Sequence, residues 1–155
     1  MKLLVTVDGS AMSEVVLEPA VELAKRCRAE VLIYSVLNKA ELPYLSLLPD
    51  RSGLPPPAGE TIAEAEARLR RDIEDALSAK VEDFTACGLQ ASAESGFGSP
   101  AELIVEVARR WKPDLIAMAT HGRSGIAEQL MGSVSTKVLR SGVAPVLLVY
   151  SPAKK

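Results

Sequence analysis

Apolar residues early in this chain come in short unbroken runs, and later in helical repeats. Leu3 to Val7 is aliphatic and β-branched and ends at Asp8-Gly9-Ser10, the pattern of a buried strand followed by a turn. Ser10 suits the N-cap of a helix in which Leu17, Ala20, Val21 and Ala24 recur until Lys25-Arg26, with Pro19 predicting a kink in its middle. Val31 to Leu37 is a second buried run. Thr61 opens a long amphipathic helix with Ile62, Ala65, Leu69, Ile73, Leu77, Val81 and Phe84 along one face, and Gly88 ends it. Leu89 to Glu94 alternates as a half-exposed strand does, and Gly96-Phe97-Gly98 reads as a turn. In Ser99-Pro100-Ala101-Glu102 a capping serine, a first-turn proline and the glutamate of a capping box start another helix, which Lys112-Pro113 stops. Asp114 to Thr120 is an apolar strand. A glycine-rich loop, a helix from about Ala127 to Arg140 and a last strand, Pro145 to Tyr150, complete the pattern.

Strands that alternate with helices, without adjacent hairpin strands, predict a mainly parallel sheet covered on both faces. One domain over 1–155 is expected, since 155 residues suit a single core and no internal repeat is visible. Ligands of open parallel sheets bind beyond the carboxyl ends of the strands. Here those ends are Asp8-Gly9, the neighbourhood of Leu37, and Thr120 to Gly125. Between Asn38 and Glu60 lies an irregular stretch holding Pro43, Pro49 and Pro55-Pro56-Pro57, which reads equally as a lid or as disordered chain.

Composition narrows the partners. The chain is 48 % hydrophobic and 25 % charged, with a formal charge of -2 and a pI near 5.5. Such a balance lacks the basic stripe of a nucleic-acid binder, so nucleic acid is not expected as a partner. No apolar run reaches membrane-spanning length, and Met1 leads into LLVTV without the features of a secretory signal, so no membrane partner is expected. Cys27 and Cys87 have no metal-ligand spacing and are expected as reduced thiols in or near the core, which points to a reducing cytoplasm.

The informative segment is Thr120-His121-Gly122-Arg123-Ser124-Gly125, followed by Ile126 to Met131 and then Gly132-Ser133. Glycines at fixed intervals let the backbone turn tightly and let phosphate oxygens approach amides at a helix N-terminus. Neither a dinucleotide GxGxxG loop nor a GxxxxGK[ST] loop is present. Gly-x2-Gly and Gly-x9-Gly-Ser, with VTVDGSAMS near the start and APVLLVY near the end, resemble the universal stress protein family in its ATP-binding branch. That resemblance implies an open five-stranded sheet of order 3-2-1-4-5, Rossmann-like and similar to the adenine nucleotide alpha hydrolases. It further implies ATP between the ends of strands one and four, beside Thr6, Val7 and Asp8. Adenine would lie against the backbone near Val36, with Gly122, Arg123, Ser124, Gly125, Gly132, Ser133 and Val134 around ribose and phosphates. Mg²⁺ would arrive on the phosphates. A homodimer paired through Pro145 to Tyr150 is implied as well.

Plainer readings stand beside these. Asp8 also suits the cap of the turn that follows it. His121, the only histidine, has no neighbours spaced as a triad and reads as a loop residue. Charges between Glu64 and Lys80 read as a solvated face. Three functions are compatible with the sequence: a nucleotide-dependent regulatory dimer of stress response in which ATP alters dimer shape or the choice of an unidentified protein partner, a slow ATPase or phosphotransferase, and a nucleotide-free structural dimer.

Overall fold

In the computed structural model, residues 1–47, 49, 53–120 and 132–150 are described. The elements are β1 (Lys2–Val7), α1 (Ala11–Glu14), α2 (Leu17–Cys27), β2 (Glu30–Asn38), a 3-10 turn (Lys39–Glu41), α3 (Leu42–Leu45), α4 (Ile62–Ala86), β3 (Gln90–Gly98), α5 (Pro100–Trp111), β4 (Leu115–Ala119), α6 (Ser133–Ser141) and β5 (Val146–Val149). All strand pairs are parallel, in the order β3-β2-β1-β4-β5.

Continuous apolar strands are what a sheet buried on both faces requires. Leu3, Val5, Val31 and Ile33 point into one layer with α2 and α4, packed against Val16, Ala20, Leu77 and Phe84. Leu4, Leu32, Tyr34 and Ile116 point into the opposite layer with Ile104 and Val107 of α5 and Val138 of α6. Among the described residues, no helix is long and apolar enough to cross a membrane.

Several local expectations are corrected. Gly96-Phe97-Gly98 is not a turn: it extends β3 and pairs with Val36, Leu37 and Asn38. Glycine stands at 96 because a Cβ there would lie 2.2 Å from Tyr34 Oη. The first helix breaks at Val15-Val16, and Pro19 falls in the first turn of α2, where its missing N–H leaves no bond unmade. Ser99 is the N-cap of α5 but makes no side-chain capping bond, so the capping box expected there is absent. One forms instead at α4, where Thr61 and Glu64 exchange bonds. A helix running from about 127 to 140 is also corrected, since Gly132 is extended (φ -64°, ψ 158°) and α6 starts at Ser133; residues 127–131 lie outside the described residues. Cys27 and Cys87 are free but exposed, not near the core, because each sits where a helix ends and the chain turns through solvent towards the next strand.

The stretch after β2 begins with structure. Asn38 caps the 3-10 turn, and Leu42 and Leu45 of α3 pack with Leu37 against Leu69, Ile73 and Phe97. Arg68 of α4 then clasps both limbs of the stretch. Its guanidinium donates to both carboxylate oxygens of Glu60, at 2.9 and 3.0 Å, and to the Ser46 carbonyl at 3.1 Å. This bidentate pair is largely buried, and it holds the Glu60 carboxyl below the ordinary carboxylate range, mainly through the hydrogen bond from Arg68.

Candidate functional site

At the carboxyl ends of β1, β2 and β4 the sheet opens into a cleft of about 250 Å³. Its floor is Thr6, Val7 and Asp8 from β1, Val36 from β2, and Met118 to Thr120 from β4. Pro100 and Ile104 of α5 form one wall, and the first turn of α6, Gly132 to Ser135, closes one end. Asn38 and Glu41 close the other.

The β1 end is fixed by a compact set of bonds. Asp8 Oδ1 accepts from the Ser10 amide at 2.9 Å and from Ser10 Oγ at 2.6 Å. Ser10 Oγ in turn accepts from the Ser13 amide, and Ser13 Oγ donates to the Ser10 carbonyl while accepting from the Asp8 amide. Asp8 therefore does cap its turn, and it also lines the cleft.

At the α6 end, the Gly132 amide donates to the Thr120 carbonyl at 2.6 Å and ties the helix start to the end of β4. Among the described residues no side chain caps this helix. Its first full intrahelical bond is Thr136 N–H to the Gly132 carbonyl, so the amides of Ser133, Val134 and Ser135 have no partner among the described residues. Ser135 Oγ and Thr136 Oγ1 both turn back to the Gly132 carbonyl and leave those amides uncovered. A set of N–H groups at the positive end of a helix attracts an anion. Gly132 is required for this approach, because a Cβ would lie 2.6 Å from the Thr120 carbonyl oxygen.

Between these two ends the lining is partly apolar. Val36 and Met118 belong to the same buried layer as Ile104, and Pro100 stands at the start of α5 beside them. Within that layer, burial pushes the Tyr34 hydroxyl pKa up, with the Glu94 and Glu106 carboxylates acting in the same direction and Arg110 against them. The arrangement suits a ligand with an anionic end and a flat, partly apolar body.

Of the residues expected at the site, Thr6, Val7, Asp8, Val36, Gly132, Ser133 and Val134 all line this one cleft. Gly122, Arg123, Ser124 and Gly125, with His121, lie outside the described residues. Sequence reasoning missed Ser13, Asn38, Glu41, Pro100, Ile104 and Met118 as lining residues. For Pro100 and Ile104 a signal existed, since a helix start after a strand in a parallel sheet falls at the ligand-binding edge. Among the described residues no three His, Cys, Asp or Glu side chains group as metal ligands.

Residues 1–150 match the model of the Universal stress protein family. The chain belongs to that family. A universal stress protein of Methanocaldococcus jannaschii is 32 % identical over 99 % of this chain and 84 % of its own length. Universal stress protein YxiE of Bacillus subtilis is 34 % identical over 96 % of this chain and 97 % of its own. Solved structures share the fold. A second Methanocaldococcus jannaschii universal stress protein, solved as a structural-genomics test case, superposes with a TM-score of 0.80 at 23 % identity, covering 99 % of this chain and 97 % of that one. A universal stress protein in complex with cAMP gives 0.65 at 23 % identity over 98 % of each chain. A family protein from Arabidopsis thaliana with AMP bound gives 0.67 at 18 % identity over 99 % of this chain and 93 % of that one.

Proposed function

We propose that this universal stress protein binds an adenine nucleotide, ATP, in the cleft at the ends of β1, β2 and β4, and acts as a nucleotide-dependent regulatory dimer of the cytoplasm in stress response, without catalysing a fast reaction. The observation that carries this reading is the N-terminus of α6, whose three amides have no partner among the described residues and stand at one end of a cleft partly lined by the apolar Val36, Ile104 and Met118. Phosphates belong against those amides, joined by Gly122 to Gly125, and the base belongs against Val36 and Ile104. Adenine nucleotides bound to two proteins of the same fold support the choice of ligand. Mg²⁺ fits as a passenger on the phosphates, since such ions keep few protein ligands. Bound there, it would neutralise phosphate charge.

Calorimetric titration of nucleotide-stripped protein with Mg-ATP tests the reading. Micromolar binding that Gly132→Val abolishes is expected, and no heat with any adenine nucleotide overturns the proposal. The one-domain organisation over 1–155 and the dimer through Pro145 to Tyr150 belong to the same reading. The apolar strand β5 is half-buried throughout and sits at a sheet edge. Carbonyls of Pro145 and Val149 accept from β4, so by strand alternation the backbone groups of Val146 and Leu148 face away from the sheet. Leu148→Pro removes an outward donor and should turn the dimer to monomer in sedimentation analysis. A variant that sediments as the wild type does would refute pairing through this edge.

A further inference from the structure

We infer that the hydroxyl of Thr6 donates a hydrogen bond to a ring nitrogen of the bound base; this rests on the nucleotide reading above. Thr6 is only 6 % exposed, and among the described residues its hydroxyl has no hydrogen-bond partner. Among the same residues, no side-chain oxygen or nitrogen that is sealed from solvent lacks a partner. The Thr6 oxygen is therefore not sealed, and since Thr6 lines the cleft, the space it opens on is the cleft itself. Ser13 and Ser135, buried in the same lining, differ. Ser13 Oγ bonds to the Ser10 carbonyl and the Asp8 amide, and Ser135 Oγ to the Gly132 carbonyl.

The sheet sets where that hydroxyl meets a ligand. Parallel register places Thr6 beside Tyr34 of β2 and, one step beyond the Val5–Ala117 pair, beside Met118 of β4. Strand alternation puts it on the face of Leu4, in the layer that holds Tyr34, Met118 and Ile104. Asp8, two residues on, lies about 7 Å nearer the mouth along the chain. Thr6 is thus a hydroxyl set among apolar lining residues, in the part of the cleft where the base belongs and away from the amides of α6 that suit the phosphates.

A purine has flat apolar faces and ring nitrogens along its edge. In adenine N1, N3 and N7 each carry an in-plane lone pair that accepts, and a threonine hydroxyl with no acceptor inside the protein has its hydrogen to give. A nucleotide that fills the cleft displaces water from this oxygen. A hydroxyl left unpaired in a dry site is costly, so the site favours a base that offers it an acceptor over one that does not.

The test is calorimetry with AMP and its 1-deaza, 3-deaza and 7-deaza analogues, in each of which a C–H replaces one ring nitrogen. Wild type is compared with Thr6→Val, which has a similar shape without the hydroxyl, and with Thr6→Ser, which keeps it. Relative to AMP, wild type is expected to bind one of the three analogues about fivefold more weakly than Thr6→Val does, the scale of one neutral hydrogen bond. Contacts of the base with other groups persist in the variant, so only the loss that vanishes in Thr6→Val belongs to this hydroxyl. Thr6→Ser should discriminate as the wild type does. Without nucleotide, Thr6→Val should melt at or above the wild-type temperature, because the group it removes has no partner in the protein; a lower melting temperature would overturn the proposal by showing that the hydroxyl serves the fold. The same analogue preferences in wild type and Thr6→Val would overturn the role of Thr6 and leave nucleotide binding standing. Absence of heat with AMP and all three analogues would overturn both.

Discussion

The two ends of the cleft are built by opposite means. At the α6 end the recognition groups are backbone amides, and what matters is the lack of a side chain at Gly132 and, among the described residues, of a side-chain cap on the helix. At the β2 end the lining groups are side chains, Asn38 and Glu41, and their placement depends on a small separate cluster in which Leu42 and Leu45 meet α4 and β3. An end made of backbone tolerates little substitution but needs little support. An end made of side chains needs a scaffold, and here a stretch poor in regular structure provides it.

The sharpest way to break the first end is Gly132→Val. Its Cβ would come within 2.6 Å of the Thr120 carbonyl oxygen, which is backbone and cannot swing aside. Moving Gly132 also strains the bond from its own amide to that carbonyl. Overpacking of this kind costs about 1–3 kcal/mol of stability. Displacing two or more amides from a phosphate, at about 1.5–3 kcal/mol each, lowers ATP affinity by about a hundredfold or more. Calorimetry beside a thermal melt separates the two effects; a variant that melts lower yet binds ATP as the wild type does would place the phosphates elsewhere.

A gentler substitution sharpens the same end. Proline is well accommodated at the first residue of a helix, and extended Gly132 is the conformation that a following proline favours. Ser133→Pro thus deletes one amide donor while keeping α6. A loss of about tenfold in ATP affinity is expected, with the melting temperature nearly unchanged. Unchanged affinity in this variant would show that the Ser133 amide is not among the phosphate ligands.

These two ends were unequally legible in the sequence. Gly132-Ser133 stands out because glycine spacing is a local signal with a direct backbone meaning, and the buried strands stand out because both faces of a parallel sheet demand apolar runs. Glu41 does not, because a glutamate among prolines looks like loop, and only contacts from Leu42 and Leu45 to residues more than twenty positions away give it a place. The same limit explains Gly96 to Gly98. Glycine marks either a turn or a close approach, and the deciding fact, the Tyr34 ring lying over Gly96, belongs to a neighbouring strand. The exposed cysteines were misjudged for the converse reason: residue-type habits gave way to their positions at helix ends.

The smallest expected effect concerns the scaffold of the second end and is a matter of pH. Glu60 is held below the ordinary carboxylate range by its hydrogen bonds from Arg68, reinforced by the Arg68 charge, while burial and Glu64 act the other way. A carboxyl whose folded value is depressed stabilises the fold above its unfolded value, and that contribution is lost as pH falls through the folded one. Glu60→Gln removes the titrating group and keeps the contacts of Arg68 with the Ser46 carbonyl and the more distant Asp72. Wild type should therefore melt above Glu60→Gln at neutral pH, and the gap should close as pH drops through the carboxylate range and below it. A gap that stays constant over that range would mean that Glu60 supports the segment through packing rather than charge. The clasp would then be no more sensitive to acid than the apolar cluster beside it.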